Sequence, residues 1–511
     1  MPQDLVIAEP DGHVALHPSS TRTMTDALRI LLVSSELTPF AKTGGLADVV
    51  AGLGRWLAKV GHSVRIVMPL YGQVARGGFD LHEARDIGRI RMRFDGSEQE
   101  FGAKVGELPN SKVPVYFVDC PAMFGRDRIY SSTYADEHIR FGLLCRAALE
   151  FCQRLGFAPD IAHCNDWHTA LVPLYLRSLY SWDGLFRKTR TLLTIHNIGY
   201  QGQFSGKVID DLGLAASRNL FHQDDLQQRN EVNFLKTGLL YADWLTTVSP
   251  NYAKEIQTAE GGRGLEDTLR ARKDALTGIV NGVDYGDWDP ANDRHLPAAF
   301  GAKDLSGKAA CKKKLLERFA LRQDGNPMVI GIVSRLTSQK GFDLLPDVLP
   351  VVMRDERVRL VALGSGEQRY EDYFQWLRDQ LPDRVGVYRG YHEELAHWIE
   401  AGSDAFLMPS LFEPCGLNQM YSMRYGTVPI VRRTGGLADT VVDHDAATGR
   451  GTGFVFDRFD AHSLLAAMQR AVAVFKEPAA WHALMMAGMA QDWSWDRQGP
   501  HYVELYRRLM R

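Results

Sequence analysis

The sequence lacks the features that mark several common classes of protein. Its 59 Lys and Arg residues are balanced by 62 Asp and Glu residues, so no basic excess favours a nucleic-acid partner. No apolar run is long enough to span a membrane, and residues 1–27 contain no apolar segment typical of a secretory signal. We therefore expect a cytoplasmic protein with no nucleic-acid or membrane partner, in which residues 1–27 are a loosely ordered extension.

Signatures of disulfides, zinc and common nucleotide sites are also missing. The six cysteines include no Cys-x-x-Cys pair, which favours buried free thiols over disulfides or a zinc site. No Walker loop is present, and residues 363–367 offer Gly-x-Gly without the third glycine of a dinucleotide fingerprint. These absences disfavour a P-loop NTPase and a hydride-transfer enzyme.

What the sequence does contain is short apolar strands that alternate with amphipathic helices, in two successive series. The predicted strands include residues 29–33, 328–333 and 405–408, and the predicted helices include residues 231–241. The series break at residues 281–292, a stretch rich in Gly, Pro and Asp. This pattern predicts an α/β fold of two Rossmann-like, doubly wound domains, at residues 28–285 and 286–490. Residues 491–511 are predicted to form a C-terminal helix, a candidate to cross the domain junction.

One hexapeptide, Thr-Gly-Gly-Leu-Ala-Asp, occurs twice, at residues 43–48 and 434–439. An identical repeat of this length arises by chance in roughly one chain in a hundred of this size and average composition. Each copy follows a predicted strand, where paired glycines let backbone N–H groups approach an anion. The alternative is that each Gly-Gly pair makes only a tight turn.

A diphosphate would need cations, and these follow the first strand of the second series. Arg335 and Lys340 lie five residues apart in one predicted loop, and Gly341 lets the backbone come close. No Asp-x-Asp follows a strand, so we expect these cations and helix dipoles, with no metal, to neutralise a leaving group.

Other polar residues that end predicted strands suit a sugar. Glu413 can accept hydrogen bonds from hydroxyl groups and balance positive charge at an anomeric carbon, although a helix N-cap is the alternative. Asp166, His196 and Asn197 also follow strands, where polar side chains can bind sugar hydroxyls. His163 is expected to be structural.

Taken together, these motifs resemble the bacterial glycogen synthase and starch synthase family. The likeness is carried by residues 42–46, the loop 335–341, Phe-Glu-Pro-Cys-Gly-Leu at 412–417, and residues 434–437, and it extends from about residue 28 to the C-terminus. The resemblance implies a GT-B fold with its active site in an interdomain cleft. It also implies transfer of glucose from ADP-glucose to the non-reducing end of an α-1,4-glucan such as glycogen, with retention of configuration and without cofactor or metal.

The resemblance also implies roles for individual residues. The implied catalytic residues are His196, Arg335, Lys340 and Glu413. The implied substrate-binding residues are Lys42, Gly45, Asp48, Asp166, Asn197, Asn281, Tyr391, Gly416, Leu417, Asn418, Thr434, Gly435 and Gly436. Among them, Tyr391 is expected to stack on adenine. Two departures are Tyr421, where many retaining relatives place a second Glu, and Asn418, where Thr or Ser is common.

Several alternatives stay open at this point. A sucrose- or trehalose-type synthase that uses UDP-glucose, and a sugar-nucleotide epimerase, share the fold. Retention can follow from front-face attack or from a covalent intermediate, and we favour the former because no carboxylate is an obvious nucleophile. The sequence leaves open whether the protein is a monomer or a homo-oligomer.

Overall fold

The computed structural model of the protein describes residues 27–94, 96–130 and 135–511. The predicted N-terminal extension lies outside these residues, except for its last position. Among the described residues, no helix is both long enough and apolar enough to cross a membrane. All six cysteines are buried and form no disulfide, as predicted.

The first half of the chain is built around one large sheet. The strands in this half are β1 (Arg29–Val33), β2 (Ser63–Pro69), β3 (His82–Glu83), β4 (Ile90–Phe94), β5 (Ser97–Glu107), β6 (Pro114–Asp119), β7 (Ile161–Asn165), β8 (Arg190–Ile195), β9 (Gln203–Ser205), β10 (Glu231–Asn233), β11 (Trp244–Thr247) and β12 (Leu276–Gly278). The sheet order is β12-β11-β8-β7-β1-β2-β6-β5-β3, with β4 paired to β5, while β9 and β10 form a separate antiparallel pair. The segment from β12 to β6 is parallel, and β5 joins it antiparallel.

Helices cover both faces of this sheet, so its central strand β7 is buried at every position. The helices are α1 (Gly45–Lys59), α2 (Gly72–Arg76), α3 (Pro121–Phe124), α4 (Glu137–Arg154), α5 (Val172–Arg177), α6 (Val208–Asp211), α7 (Gln223–Arg229), α8 (Phe234–Tyr241), α9 (Pro250–Glu255) and α10 (Glu266–Ala271).

The second half has a fully parallel sheet of six strands. These are β13 (Met328–Val333), β14 (Val358–Gly364), β15 (Val385–Arg389), β16 (Ala405–Met408), β17 (Val428–Arg432) and β18 (Phe454–Phe456), in the order β15-β14-β13-β16-β17-β18. The helices are α11 (Ser306–Arg318), α12 (Leu345–Val352), α13 (Gln368–Gln380), α14 (Glu393–Gly402), α15 (Asn418–Arg424), α16 (Gly435–Thr440), α17 (Ala461–Phe475), α18 (Pro478–Met489) and α19 (Trp495–Leu509).

Both sheets reverse their strand order beside their first strand, as Rossmann-like sheets do. The reversal lies between β1 and β7 in the first sheet and between β13 and β16 in the second. Ligands of such sheets bind outside the carboxyl ends of the strands at this reversal. The loops that follow these four strands are therefore the places to look for a site.

The C-terminal helix α19 packs on α1 in the first half of the chain. The ring of Trp495 lies so close to Gly52 and Gly282 that a Cβ at either glycine would overlap it, at 2.0 Å and 2.4 Å. Lys59 and Asp496 form an ion pair between the two helices at 3.0 Å. The domain boundaries at residues 285 and 490 stay predictions.

One predicted helix begins later than the sequence pattern indicated. Residues 231–241 read as a single helix, but the first three form β10, which pairs with β9. The side chain of Asn233 accepts a hydrogen bond from the Lys236 N–H at 2.9 Å and so caps α8 at Phe234. A local cap therefore decides the boundary that hydrophobic periodicity missed.

Candidate active site

The loops at the two strand-order reversals face each other across a cleft between the sheets. A Cβ built on Gly45, at the start of α1, would lie 3.4 Å from Leu417 Cδ1 in the second half of the chain. The Arg263 guanidinium lies 5.1 Å from the centre of the Phe412 ring, again across the cleft. The structure thus brings Gly45 and Leu417, one predicted site residue from each half, next to each other.

The loop after β1 is organised by Glu36, a buried carboxylate. It accepts hydrogen bonds from Thr43 N at 2.6 Å, Thr43 Oγ1 at 2.6 Å and Gly44 N at 3.1 Å. The Tyr130 hydroxyl also donates to it, at 2.7 Å. The backbone N–H groups of Thr43 and Gly44, which were predicted to bind an anionic ligand, therefore bind the carboxylate of Glu36.

Lys42 projects from the same loop and pairs with Asp48 of α1, with 2.9 Å between Nζ and Oδ2. Thr38 Oγ1 donates to the other Asp48 oxygen at 2.9 Å. Burial lowers the pKa of Lys42, but the charges of Asp48, Glu393 and Glu36 outweigh this and raise it above its usual value. Asp48 thus fixes a fully charged Lys42 at the cleft.

Asp166, directly after β7, is a buried carboxylate on a backbone with φ of 58°, a conformation uncommon for any residue but glycine. Its Oδ1 accepts hydrogen bonds from His196 N at 2.7 Å and Asn197 N at 3.3 Å, both after β8. These bonds link the ends of two neighbouring strands. Strained backbone of this kind is typical of functional sites.

The hydrogen bonds around His196 define which ring nitrogen carries the proton. Asn165 Nδ2 donates to Val33 O at 3.1 Å, so Asn165 Oδ1 accepts from His196 Nε2 at 2.9 Å. This leaves a lone pair on His196 Nδ1. Burial lowers the pKa of His196 to about 3, so the ring is neutral at physiological pH. By contrast, His163 bonds Tyr506 and Thr194 in the core and is structural, as predicted.

Lys340 and Glu413 form an ion pair at the end of the second sheet, with 2.6 Å between Nζ and Oε2. Glu413 is almost fully buried, and Ser410 Oγ donates to the same oxygen at 3.1 Å. The predicted cation and the predicted sugar-binding carboxylate are therefore direct partners.

The loop that carries Lys340 is held against the loop after β16. Leu411 N donates to Gln339 O at 2.9 Å. Gly341 has φ of 74°, and a Cβ there would lie 1.9 Å from Pro409 O, so only glycine fits. Arg335, in the same loop, is exposed and its guanidinium has no hydrogen bond or ion pair with any described residue. Its charge is available to a ligand.

The second copy of the repeated hexapeptide joins the two halves of the chain. Glu255, the last residue of α9, accepts hydrogen bonds from Gly435 N at 2.9 Å and Thr434 Oγ1 at 3.2 Å, at the start of α16. In return, Asp439 of α16 accepts from Asn251 N at 2.9 Å, at the start of α9. Each helix N-terminus is thus stabilised by a carboxylate from the other half.

These contacts bear on the predicted substrate role of this copy. Gly435 N and Thr434 Oγ1 are bound to Glu255, and Gly436 N lies 3.2 Å from Glu413 O and 3.1 Å from Pro414 O. The donors that were expected to face a ligand are satisfied by the protein. Substrate contact through Thr434, Gly435 and Gly436 stays a prediction, and the structure gives Thr434 and Gly435 a role in joining the two halves.

The remaining predicted residues line the same region. Gly416 has φ of 73°, and Leu417 precedes α15. Asn418 Nδ2 donates to Val333 O at 3.1 Å, so one amide hydrogen is already used. Tyr391 is 63% exposed and its hydroxyl donates to Glu393. Asn281 is buried, and its Oδ1 has no partner among the described residues.

Comparison with known proteins shows which proteins this chain is similar to. The model of the starch synthase catalytic domain matches residues 29–271, and that of glycosyl transferases group 1 matches residues 313–482. The chain is 46% identical over 485 residues to a glycogen synthase of Koribacter versatilis, covering 94% of this chain and 98% of the relative. A glycogen synthase of Geotalea uraniireducens is 44% identical over 483 residues, with coverage of 94% and 98%.

The chain belongs to the glycogen and starch synthase family. The solved catalytic domain of starch synthase IV from Arabidopsis thaliana, bound to ADP and acarbose, superposes with a TM-score of 0.87 at 36% identity, over 95% of this chain and 99% of that one. A sucrose-phosphate synthase from Thermosynechococcus elongatus shares the fold, with a TM-score of 0.59 at 19% identity, over 94% and 98%. The family resemblance and the prediction of two Rossmann-like domains in a GT-B fold are confirmed.

Sequence reasoning missed three carboxylates that organise this family member's cleft. Glu36 follows β1 within the loop that the motif search singled out, so its position beside a glycine pair was a usable signal. Glu393 lies two residues after Tyr391 and accepts its hydroxyl. Glu255 carried no signal, because its partners lie 179 and 180 residues away in the other half of the chain.

We expect activity to fall as the pH drops through about 7, because Asp166 then loses its charge. Burial raises the pKa of Asp166 to about 7, against the opposing effect of its two backbone hydrogen bonds. The ionised form, which accepts the hydrogen bonds of the His196 and Asn197 N–H groups, is present above this pKa and is lost below it. The expected slope of kcat/KM is about tenfold per pH unit below about pH 6.5.

Initial rates between about pH 5.5 and 8.5 measure this profile. Asp166→Asn is the matched control, since it keeps the shape but does not titrate, and its low activity should be flat with pH. His196 stays neutral throughout this window, since its pKa is about 3. A wild-type profile without a step near pH 7 contradicts the assignment.

Proposed function

We propose that the protein is a glycogen synthase that transfers glucose from ADP-glucose to the non-reducing end of an α-1,4-glucan, with retention of configuration. The observation that carries this proposal is the Lys340–Glu413 pair, in which Lys340 shares its loop with Arg335, an exposed cation that has no ionic partner among the described residues. It is supported by the glycogen synthases that align with nearly the whole chain and by the starch synthase structure bound to ADP.

Arg335 and Lys340 are the proposed diphosphate-binding residues. Two cations in one glycine-bearing loop can stabilise the charge that develops as ADP departs, without a metal. No group of three or more His, Cys, Asp or Glu side chains in the described part of the chain is arranged to hold a metal ion. Metal independence is part of the proposal and is tested below with a chelator. The exposed ring of Tyr391 is the proposed platform for adenine.

The sugar is proposed to lie between the two halves of the chain. Asp166 and Glu413 accept hydrogen bonds from its hydroxyls, and the neutral His196 presents a lone pair on Nδ1 near the anomeric carbon. The acceptor hydroxyl of the glucan then approaches on the face from which ADP leaves, which gives retention. Closure of the two halves, held by the Glu255 and Asp439 contacts, excludes water from the donor.

The compartment is proposed to be the cytoplasm. All six cysteines are free and buried, as suits a reducing environment.

The decisive experiment measures ADP and UDP release from ADP-glucose and UDP-glucose, with and without a glycogen primer. We expect primer-dependent ADP release and growth of α-1,4-linked chains, in the presence of a metal chelator as well as without it. The matched control is Arg335→Ala, which should lose most activity with either donor. Release of UDP alone, with a small sugar as acceptor, would identify a sucrose- or trehalose-type enzyme and overturn the proposal.

A further inference from the structure

A stack of three aromatic rings forms where the segment between the two sheets packs against α14 and α15. The ring of Trp288 is sandwiched between His397, at 3.8 Å between centroids and 9° between planes, and Tyr421, at 4.0 Å and 2°. His397 is almost fully buried. Tyr421 is also buried.

A chain of ionic contacts leads from this stack to the cleft. His397 Nδ1 lies 2.7 Å from Asp293 Oδ2, and its Nε2 lies 3.5 Å from Glu393 Oε1. The other oxygen of Glu393 accepts the Tyr391 hydroxyl. Glu393 also raises the pKa of Lys42, on the opposite side of the cleft. The contacts therefore run from Asp293 in the core through His397 and Glu393 to the Tyr391 hydroxyl.

We propose that His397 is a positioning residue for the nucleotide: its positive charge holds Glu393, which in turn orients the Tyr391 ring and Lys42 for the base of the donor. This inference rests on the proposed function, since it assumes that the Tyr391 ring receives adenine. It assigns to a buried histidine an effect on donor affinity rather than on the chemical step.

The charges around His397 support this role. Burial alone would lower the pKa of His397, but the hydrogen bonds and charges of Asp293 and Glu393 outweigh it and raise the value to about 9. The bond with His397 is the largest cause that lowers the pKa of Glu393, to about 2. The other titratable groups facing the ring are Tyr425, which donates to Asp293, the neighbouring His295, and Glu400 on the same helix.

The direction of the pH effect follows from these charges. His397 is protonated below its pKa of about 9, and its hold on Glu393 is then complete. As the pH rises through that value, the imidazole becomes neutral and Glu393 loses its cation. Donor binding should therefore weaken on the alkaline side, in a range where a purely structural stack has no reason to change.

The test is the Kd of ADP for the full-length protein, measured by calorimetry from about pH 7 to 10. For the wild type we expect a constant Kd up to about pH 8 and a rise of roughly tenfold by about pH 10. His397→Gln should bind ADP roughly tenfold more weakly at about pH 7.5, with no further change as the pH rises. Its kcat at saturating donor should change much less than its KM.

Two further variants provide a second test and a control. Glu393→Gln alters a half-exposed side chain, keeps an oxygen that can accept the Tyr391 hydroxyl, and should show the same weakened, pH-independent binding. His295→Gln is the matched control, because its ring contacts His397 at 4.6 Å but forms no ion pair with a described residue, and it should behave as the wild type. A flat wild-type profile, or normal ADP binding by both His397→Gln and Glu393→Gln, overturns the proposal.

Tyr391→Ala separates this failure from failure of the proposed function. If Tyr391→Ala binds ADP as tightly as the wild type, the assignment of the nucleotide site is wrong. If Tyr391→Ala binds weakly while His397→Gln and Glu393→Gln bind normally, the nucleotide site stands and only the role of His397 is overturned.

Discussion

Lys340→Ala should lower kcat by about a hundredfold or more while changing the KM for ADP-glucose much less. The ammonium group is one of two cations placed for the leaving diphosphate, and its charge matters most as ADP departs. The same group is the ion-pair partner of Glu413, at 2.6 Å. Its removal leaves a buried carboxylate without a cation beside the sugar. Both effects raise the barrier of the chemical step.

The measurement is a steady-state assay of ADP release at saturating glycogen, with circular dichroism to verify the fold. Lys340→Arg should recover part of the loss, since it restores the charge with a different shape. Lys314→Ala is the matched control, because Lys314 is an exposed lysine that pairs with Glu317 at 2.9 Å, and its kcat should equal that of the wild type. A kcat for Lys340→Ala within about threefold of the wild type contradicts the assignment.

Much of the fold could be predicted because parallel strands buried on both faces read as continuous apolar runs. The predicted strands at residues 29–33, 328–333 and 405–408 agree with β1, β13 and β16 at both ends. The antiparallel strands β3, β4 and β5 were not predicted. They lie at one edge of the large sheet, where β4 alternates between buried and exposed side chains and has no continuous apolar run.

The candidate site could be predicted where a charged side chain comes directly after a strand. Asp166, Lys340 and Glu413 all follow strands at the strand-order reversals, and the structure pairs Lys340 directly with Glu413. What the sequence left open was which partner each polar group finds. Glu36 and Glu255 take donors that motif reasoning reserved for a ligand, and their partners depend on loop folding and on the approach of the two halves.

The repeated hexapeptide illustrates this limit, since its two copies share a sequence but not a conformation. Gly44 and Gly435 occupy the same position in the motif. Gly44 is extended, with φ of −155°, and a Cβ built there has nothing within 4 Å. Gly435 has φ of 44°, and a Cβ there would lie 1.9 Å from the carbonyl oxygen of Glu413. A side chain can therefore be accommodated at Gly44 but not at Gly435.

Gly435→Ala should accordingly destabilise the second half of the chain by about 3 kcal/mol and abolish most activity, while Gly44→Ala should change stability by less than about 1 kcal/mol. The alanine at 435 forces the backbone of Glu413 to move, which displaces the carboxylate paired with Lys340. At 44, alanine keeps the N–H that donates to Glu36 and fits an extended conformation.

Thermal unfolding followed by circular dichroism, together with kcat, compares the two variants directly. We expect Gly435→Ala to lower the Tm of the affected transition by roughly 5–10 °C, and Gly44→Ala to leave it nearly unchanged. Equal effects at the two positions would mean that both copies adopt one conformation. The contrast between them would instead show that one copy shapes a loop at the cleft while the other joins the two halves that close it.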